Sequence, residues 1–277
     1  MVAGALRVTA GCDVELVIVE TTGDRRQDLP LHVIGGQGVF VKEVQQAVLD
    51  GRADAGVHSA KDLPSTTMPQ LVIGAFTARR DPADALVGRT RSELAAGATI
   101  ATGSVRRRAQ LAAHRPDLHF VELRGNIATR LSKVPPDGSI VMAVAALEVL
   151  GETERIAERL DPAVYVPAVG QGCVAIECRA GDECTAERLA AIDHGPTRRA
   201  VTVERSFLAQ LGSGCSLPVG AFVDGQLLHV FLASTDLPGV PAGDVRIVTD
   251  HLVLAGDDGD HDIARSVARR TLSSVGG

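Results

Sequence analysis

Aromatic side chains are scarce in this chain of 277 residues, which has no tryptophan, one tyrosine and six phenylalanines. Proteins that bind single-stranded nucleic acid need aromatic faces on which bases stack, so this composition argues against that class. An excess of positive charge is also missing, because 28 lysines and arginines stand against 34 aspartates and glutamates. With a net charge of −6, the chain is not expected to bind a nucleic-acid backbone as its main activity.

Long apolar runs, paired cysteines and a secretory signal are missing as well. The longest clean apolar run, residues 140–147, is far shorter than the roughly 20 residues that a membrane helix needs. The five cysteines are odd in number and lack paired CxxC spacing, which predicts neither a disulfide scaffold nor a metal site. The N-terminus has no charged start and no long apolar core, so we expect a cytoplasmic protein without a membrane span.

The first part of the chain alternates short apolar runs with helical patterns. Residues 13–21 are rich in valine and isoleucine, which predicts a strand buried on both faces. Apolar positions within residues 40–48 recur at helical spacing, and Gly51 follows as a C-terminal stop. Further strands at residues 55–57 and 71–75 then indicate a parallel or mixed sheet with flanking helices.

A second α/β unit follows a break at residues 79–82. Strands are predicted at 99–102, 119–123 and 140–144, with Ser104 as the N-cap of the helix after the first of them. A glycine-rich break at residues 167–172 precedes one more strand and a helix, at 174–178 and 183–192.

From residue 195 onward the pattern changes. A helix at 198–211 is followed by three consecutive strand-like runs without helices between them, and a closing helix ends the chain. Those runs are residues 219–223, 227–233 and 245–254, and the closing helix covers 262–272. Consecutive short strands favour a small antiparallel α+β domain.

A cluster of arginines stands out in this acidic protein. Arg106, Arg107 and Arg108 open a helix just after a strand, while Arg124 and Arg130 follow the next strand. Strand ends share one edge of an α/β sheet, so these groups could converge on a small polycarboxylate. A solvated helix face with local ion pairs explains the spacing equally well.

Lys61 and Asp62 lie in a loop at a strand end, bounded by Pro64. A carboxylate beside an ammonium group could act as a positioned acid, base or stabiliser of a cation. On this motif alone, an aspartate in an ordinary surface turn is the favoured interpretation.

Cys215 lies between small residues on a loop that follows a helix. An accessible thiol there could be an attachment site or a nucleophile. A small buried residue is an equally good interpretation of Cys215, and it suits the strand residues Cys173 and Cys178 better.

Five segments together resemble the porphobilinogen deaminase family (hydroxymethylbilane synthases) in their order and spacing. They are GGQGVFVKEVQQAVLDGRADAGVHSAKDLPS, ATGSVRRRAQL, ELRGNIATRLSK, PAVGQGCVAIECR and GSGCSLPVGAF. Each segment alone would be a weak signal, but their combination within residues 13–223 is specific.

The resemblance implies an α/β protein of three domains. Two lobes resemble those of periplasmic binding proteins, and the chain crosses between them twice. The first lobe would comprise residues 1–77 and 173–191, the second residues 82–170. A small α+β domain over residues 195–277 would carry the cofactor loop.

The resemblance also implies an activity, a cofactor and a substrate. Family members condense four porphobilinogens in turn, each with loss of ammonia, and water then releases hydroxymethylbilane for tetrapyrrole biosynthesis. A dipyrromethane cofactor, tethered by a thioether to a loop cysteine, anchors the product; Cys215 matches that cysteine. The resemblance further implies a monomer that binds neither nucleic acid nor membrane.

The family's site residues carry over onto matching positions of this chain. Asp62 matches the catalytic aspartate, placed near the pyrrole nitrogens where positive charge develops. Each porphobilinogen brings an acetate and a propionate, which calls for a cationic cleft, whereas Arg108 is expected on a solvated face. The residues that match positions binding cofactor and substrate are Lys42, Ser59, Lys61, Thr102, Ser104, Arg106, Arg107, Arg124, Arg130, Gln171 and Arg179.

One departure from the family pattern concerns the N-terminus. The family's usual first strand and Arg-x-Ser loop, about twenty residues, are expected to be missing, which would leave the first lobe incomplete. An inactive truncated deaminase is therefore one alternative. A two-lobed anion-binding protein without catalysis is another, and it would need neither Asp62 nor Cys215.

Overall fold

The structure is a computed structural model that describes residues 1–21, 41–212, 218–234 and 245–276. The expectation for residue 40, at the start of the helical pattern, and the expectations for Cys215 lie outside these residues. The described helices are α1 Val2–Thr9, α2 Lys42–Leu49, α3 Val105–His114, α4 Ile127–Leu131, α5 Val144–Leu150, α6 Glu183–Ala190, α7 Gly195–Gln210 and α8 Asp260–Val275. The described strands are β1 Ala55–Ser59, β2 Leu71–Phe76, β3 Asp84–Gly88, β4 Thr99–Ala101, β5 His119–Val121, β6 Ser139–Ala143, β7 Ile156–Arg159, β8 Val174–Arg179, β9 Val219–Asp224, β10 Leu227–Ala233 and β11 Ile247–Val253.

The first sheet has the order β1–β8–β2, and β8 pairs antiparallel with both neighbours. A parallel or mixed sheet was expected here, and that expectation was wrong for the described strands. The middle strand arrives from much later in the sequence and runs opposite to β1 and β2. Ala75, Ile176 and Cys178 pack with Leu189 of α6 on one face, so Cys178 is the small buried residue that was expected.

The prediction of a strand at residues 13–21 was also wrong. This segment has no strand pairing, and the side chains of Leu16 and Ile18 are 70% and 89% exposed. A run rich in β-branched residues becomes a strand only when its N–H and C=O groups pair with a neighbour. None of the strands in the described ranges pairs with this segment.

The second sheet has five strands in the order β5–β4–β6–β3–β7. β4 pairs parallel with β5 and β6, whereas β3 pairs antiparallel with β6 and β7. The strands β4, β5 and β6 and the helix capped by Ser104 confirm the sequence prediction, but β3 and β7 were not predicted. The carboxyl end of β4 leads directly into α3, which places the arginines of that helix at the edge of this sheet.

The third sheet is antiparallel in the order β11–β10–β9, as expected for the last part of the chain. α7 and α8 pack together on one of its faces, where Phe207, Leu228 and Val267 form part of a buried core. The three sheets fall one in each of the ranges predicted as domains, and the division into domains itself stays a prediction.

Two segments of the chain cross between the first and second sheets. One buried carboxylate connects both of these crossing segments to the third sheet. Glu204 of α7 has no exposed surface. Its carboxylate accepts hydrogen bonds from Arg79 Nη2 at 3.1 Å, from the Gly170 N–H at 2.8 Å and from the Val223 N–H at 2.9 Å. Arg79 belongs to the first crossing segment, Gly170 to the second and Val223 to β9.

We expect Glu204→Ala to lower the free energy of unfolding by about 3–5 kcal/mol, because it leaves Arg79 and two N–H groups without their buried partner. Glu152→Ala is the matched control, since the Glu152 carboxylate is partly exposed and forms a surface pair with Arg155 at 3.8 Å. The control should lose less than about 1 kcal/mol. Urea unfolding measures the free energy of unfolding of both variants. Equal losses would contradict the inference that Glu204 links the two crossing segments to β9.

Candidate functional site

A cavity of about 860 Å³ lies between the carboxyl end of β1, in the first sheet, and the edge of the second sheet. Its volume is typical of a small-molecule site. It brings together residues that are far apart in the sequence. The predicted residues that line it are Ser59, Lys61, Asp62, Thr102, Ser104, Arg106, Arg107, Arg124, Arg130 and Gln171.

The first wall is a tight turn at the end of β1. Ala60 to Asp62 form a 3-10 turn, and the buried Ala60 and Leu63 anchor it on either side of Lys61 and Asp62. The second crossing segment packs directly against this turn, since a Cβ on Gly170 would lie 2.9 Å from the Ala60 Cβ. Gly170 also has a φ of +71°, so glycine is required there on both counts.

The opposite wall is built from the start of α3 and the segment after β5. The Ser104 hydroxyl accepts from the Arg107 N–H at 3.4 Å, and the Thr102 hydroxyl accepts from the Ser104 N–H at 3.2 Å. These contacts fix the helix start that carries the arginines. Farther along, Arg130 Nε donates to the Gly125 carbonyl at 2.7 Å, which holds its guanidinium at the cavity wall.

Arg106 and Arg107 line the cavity, are otherwise largely buried and share one carboxylate. Asp84 accepts from Arg106 Nη2 at 2.7 Å and from Arg107 Nη2 at 2.7 Å. Burial alone would raise the pKa of Asp84, but the two guanidinium groups lower it well below its usual range. The sequence reasoning missed Asp84. The available signal was an acidic residue beginning a run of apolar residues in β3, where a buried charge needs a cation.

Lys61 has an unusual charge environment. Burial and the nearby Arg107 lower the pKa of its ammonium group to about 8, against the opposing effect of Asp62. Its Nζ lies 3.5 Å from Gln171 Oε1. The positive charge on Lys61 is therefore sensitive to pH just above neutrality.

Asp62 is the acidic side chain that opens into the cavity. Desolvation by the surrounding protein atoms raises the pKa of its carboxyl group, and the nearby charges of Lys61, His58 and Arg130 oppose that rise. The side chain nevertheless reaches the solvent of the cavity. His58 itself is buried, with its Nε2 3.2 Å from Glu177 Oε2. A carboxylate placed among cations in this way can stabilise a positive charge or transfer a proton.

Two members of the resemblance-based set do not line the cavity, and one further arginine is not where it was expected. Lys42 is exposed at the start of α2 and does not line the cavity. Arg179 also lies outside it, at the end of β8, where it donates to the Val48 carbonyl and to Asp182. The expectation of a solvated face for Arg108 was wrong, because it is largely buried and 3.5 Å from Glu122.

A membrane-spanning helix is not found among the residues that the structure describes, since none of their helices is long and apolar enough.

A family model and several curated relatives that resemble this chain all belong to one family. Residues 1–187 match the family model described as "Porphobilinogen deaminase, dipyromethane cofactor binding domain". A porphobilinogen deaminase of Acidothermus cellulolyticus is 50% identical over 87% of this chain and 76% of its own length. One of Roseiflexus castenholzii is 44% identical over 85% of this chain and 81% of its own. Among solved structures, the VFT2 domain of Bordetella pertussis BvgS aligns at 18% identity with a TM-score of 0.40, covering 69% of this chain and 74% of that one, too low a score for any inference.

We expect Lys61 to lose its proton near pH 8, since burial and Arg107 destabilise its charged form. The chain has three lysines, so isotope-labelled dimethylation gives few NMR signals to follow against pH. The signal that disappears in Lys61→Arg identifies the residue. A midpoint for that signal near the ordinary lysine value of about 10.4 would contradict the assignment.

Proposed function

The chain belongs to the porphobilinogen deaminase family, and from that premise we propose how its cavity performs the family's reaction. The activity is hydroxymethylbilane synthesis, a transferase reaction of tetrapyrrole biosynthesis that condenses porphobilinogens with loss of ammonia. The observation that carries the proposal is the position of Asp62, a carboxylate open to a cavity whose other charged lining residues, among those the structure describes, are all cationic.

The cationic walls bind the substrate's carboxylates. Porphobilinogen carries an acetate and a propionate, and guanidinium groups match carboxylates in bidentate geometry. Arg124 and Arg130, which are partly exposed, are the groups that we assign to direct contact. Arg106 and Arg107 are bound to Asp84, so we assign them mainly to the positive potential of the cavity floor.

Asp62 acts where charge develops. When the carbon–nitrogen bond of porphobilinogen breaks and ammonia leaves, positive charge spreads over the pyrrole ring, and a nearby carboxylate stabilises it. The same carbon then bonds to a second pyrrole, whose ring releases a proton. We assign Asp62 to both tasks, since its carboxylate opens into the cavity, lies among the charges of Lys61 and Arg130, and can accept that proton.

The family model names a dipyrromethane-binding domain, and the residues present suit that group. The bound cofactor supplies the fixed end from which the product grows. The cavity volume of about 860 Å³ and its arginines fit two pyrrole rings bearing several carboxylates. We propose that Cys215 holds the cofactor by a thioether. The helix α7, after which Cys215 follows, is tied to the turn of Asp62, because Arg205 donates to the Pro64 carbonyl at 2.8 Å.

We further propose a monomer working in the reducing cytoplasm. A thioether to Cys215 can form only from a reduced thiol, and a reducing compartment keeps it so. Cys12, Cys173, Cys178 and Cys184 are free thiols, as that compartment would leave them.

Asp62→Asn is expected to reduce turnover by roughly 100- to 10,000-fold, because an amide can neither accept the proton nor balance the charge. Release of ammonia from porphobilinogen measures it, and the melting temperature should stay close to that of the unmodified chain. Asp50→Asn, an exposed carboxylate outside the cavity, is the matched control and should retain activity. Wild-type turnover in Asp62→Asn would overturn the role; no ammonia release by the unmodified chain would favour a non-catalytic anion-binding protein.

Cys215→Ala is expected to remove the covalent cofactor. The intact mass of the purified chain should exceed the sequence mass by two linked pyrrole units, and this excess should vanish in the variant. Cys184→Ala, which removes an exposed free thiol, should keep it. An adduct that persists in Cys215→Ala, or an unmodified mass in the active wild-type chain, would contradict attachment at Cys215.

A further inference from the structure

Asp84 is a buried acidic residue at the meeting point of three parts of the chain. It is the first residue of β3, directly after the first crossing segment, and its exposed fraction is 1%. Its Oδ1 accepts from Arg107 Nε at 3.0 Å and from Gln171 Nε2 at 2.9 Å, in addition to the contacts with Arg106 and Arg107 Nη2 given above. Donors from α3 and from the second crossing segment therefore converge on one carboxylate.

Asp84 fixes both guanidinium groups of α3. Each guanidinium has a second, backbone partner: Arg106 Nη1 donates to the Val166 carbonyl at 2.6 Å, and Arg107 Nη1 donates to the Val141 carbonyl at 3.0 Å. With Asp84 on one side and a carbonyl on the other, neither group can rotate to follow a ligand. Without Asp84, two like charges would lie side by side in a buried site with no anion between them.

A second connection runs from Asp84 towards the reaction centre. The Gln171 amide donates from Nε2 both to Asp84 and to the Pro82 carbonyl, the latter at 2.7 Å, which fixes its orientation. Its Oε1 is thereby turned towards Lys61 Nζ, 3.5 Å away, and Lys61 is the neighbour of Asp62. A change at Asp84 would thus reach the turn that carries Asp62.

We propose that Asp84 is a positioning residue for the reaction: it holds Arg106 and Arg107 in fixed orientations and, through Gln171, holds Lys61 beside Asp62. This inference rests on the function proposed for the cavity, because its readout is turnover of porphobilinogen. Asp84 lies beneath the cavity floor and acts through its neighbours without touching the substrate.

The charges that face Lys61 determine what removal of Asp84 does to it. Arg107 and Arg106 of α3 disfavour the protonated amine, whereas Asp62 on the same turn and Asp84 from β3 favour it. Removing the charge of Asp84 leaves the two arginines unopposed on that side. The pKa of Lys61 then falls below its value of about 8, so Lys61 loses its charge at a lower pH.

The test is the pH dependence of kcat/KM for porphobilinogen in the full-length enzyme with its cofactor bound. We expect Asp84→Asn to lower kcat/KM by roughly 100-fold, because the cationic groups lose their alignment. We also expect the alkaline limb of the profile to move to lower pH. In Lys61→Arg the limb should disappear, since a guanidinium stays protonated, which identifies the titrating group.

Two further variants separate positioning from a merely structural role. Asp117→Asn removes an exposed carboxylate from a similar pair with Arg115 and should leave both kcat/KM and the limb unchanged. Gln171→Ala keeps the pairs between Asp84 and the arginines but cuts the connection to Lys61, so it should move the limb with a smaller loss of kcat/KM. It also serves as the deciding variant if Asp84→Asn does not fold.

An alkaline limb that stays in place in both Asp84→Asn and Gln171→Ala would overturn the inference, even if thermal stability falls. A normal kcat/KM in a folded Asp84→Asn enzyme would overturn it as well. Failure of the proposed function looks different, because the wild-type chain itself would then release no ammonia from porphobilinogen.

Discussion

The contact between Glu204 and its three donors is the constraint on which the arrangement of the sheets depends. A carboxylate without exposed surface is stable only where donors surround it, and these donors come from both crossing segments and from β9. The position of each crossing segment is therefore set by the need to satisfy one charge. The first of those segments runs directly into Asp84, and the second packs against the turn that carries Lys61, so the walls of the cavity depend on the same contact.

Three acidic residues illustrate how their surroundings separate structure from chemistry. Glu204 and Asp84 are enclosed by donors that satisfy them, and each accepts hydrogen bonds from an arginine. Asp62 is different, because its cationic neighbours are near enough to affect its charge while its side chain still opens into the cavity. Its exposure to the cavity leaves Asp62 available to a substrate, whereas donors of the protein already occupy the other two carboxylates.

Much of this arrangement could be predicted from the sequence, and the failures have physical causes. Strand β10 and the cap at Ser104 depend on local patterns, and both were found as expected. Residues 13–21 carry the composition of a strand, but pairing needs a partner that composition cannot reveal. The positions of the arginines after strand ends left open that they converge, and the meeting of these arginines with Asp62 came from resemblance to a family. Asp84 was missed because its meaning depends on Arg107 and Gln171, which are close to it only in the folded chain.

The order of strands in the first sheet also bears on how the chain acquires its structure. The middle strand β8 pairs Cys178 with Ala55 and Val72, so every ladder of that sheet waits for a segment synthesised long after its partners. The second sheet is continuous in sequence, from β3 to β7, so all of its described strands are synthesised before β8. Closing such a long loop is slow compared with local pairing. We therefore expect β1 and β2 to be joined through β8, and the turn that carries Asp62 to take its final shape, only after the second crossing segment has been synthesised.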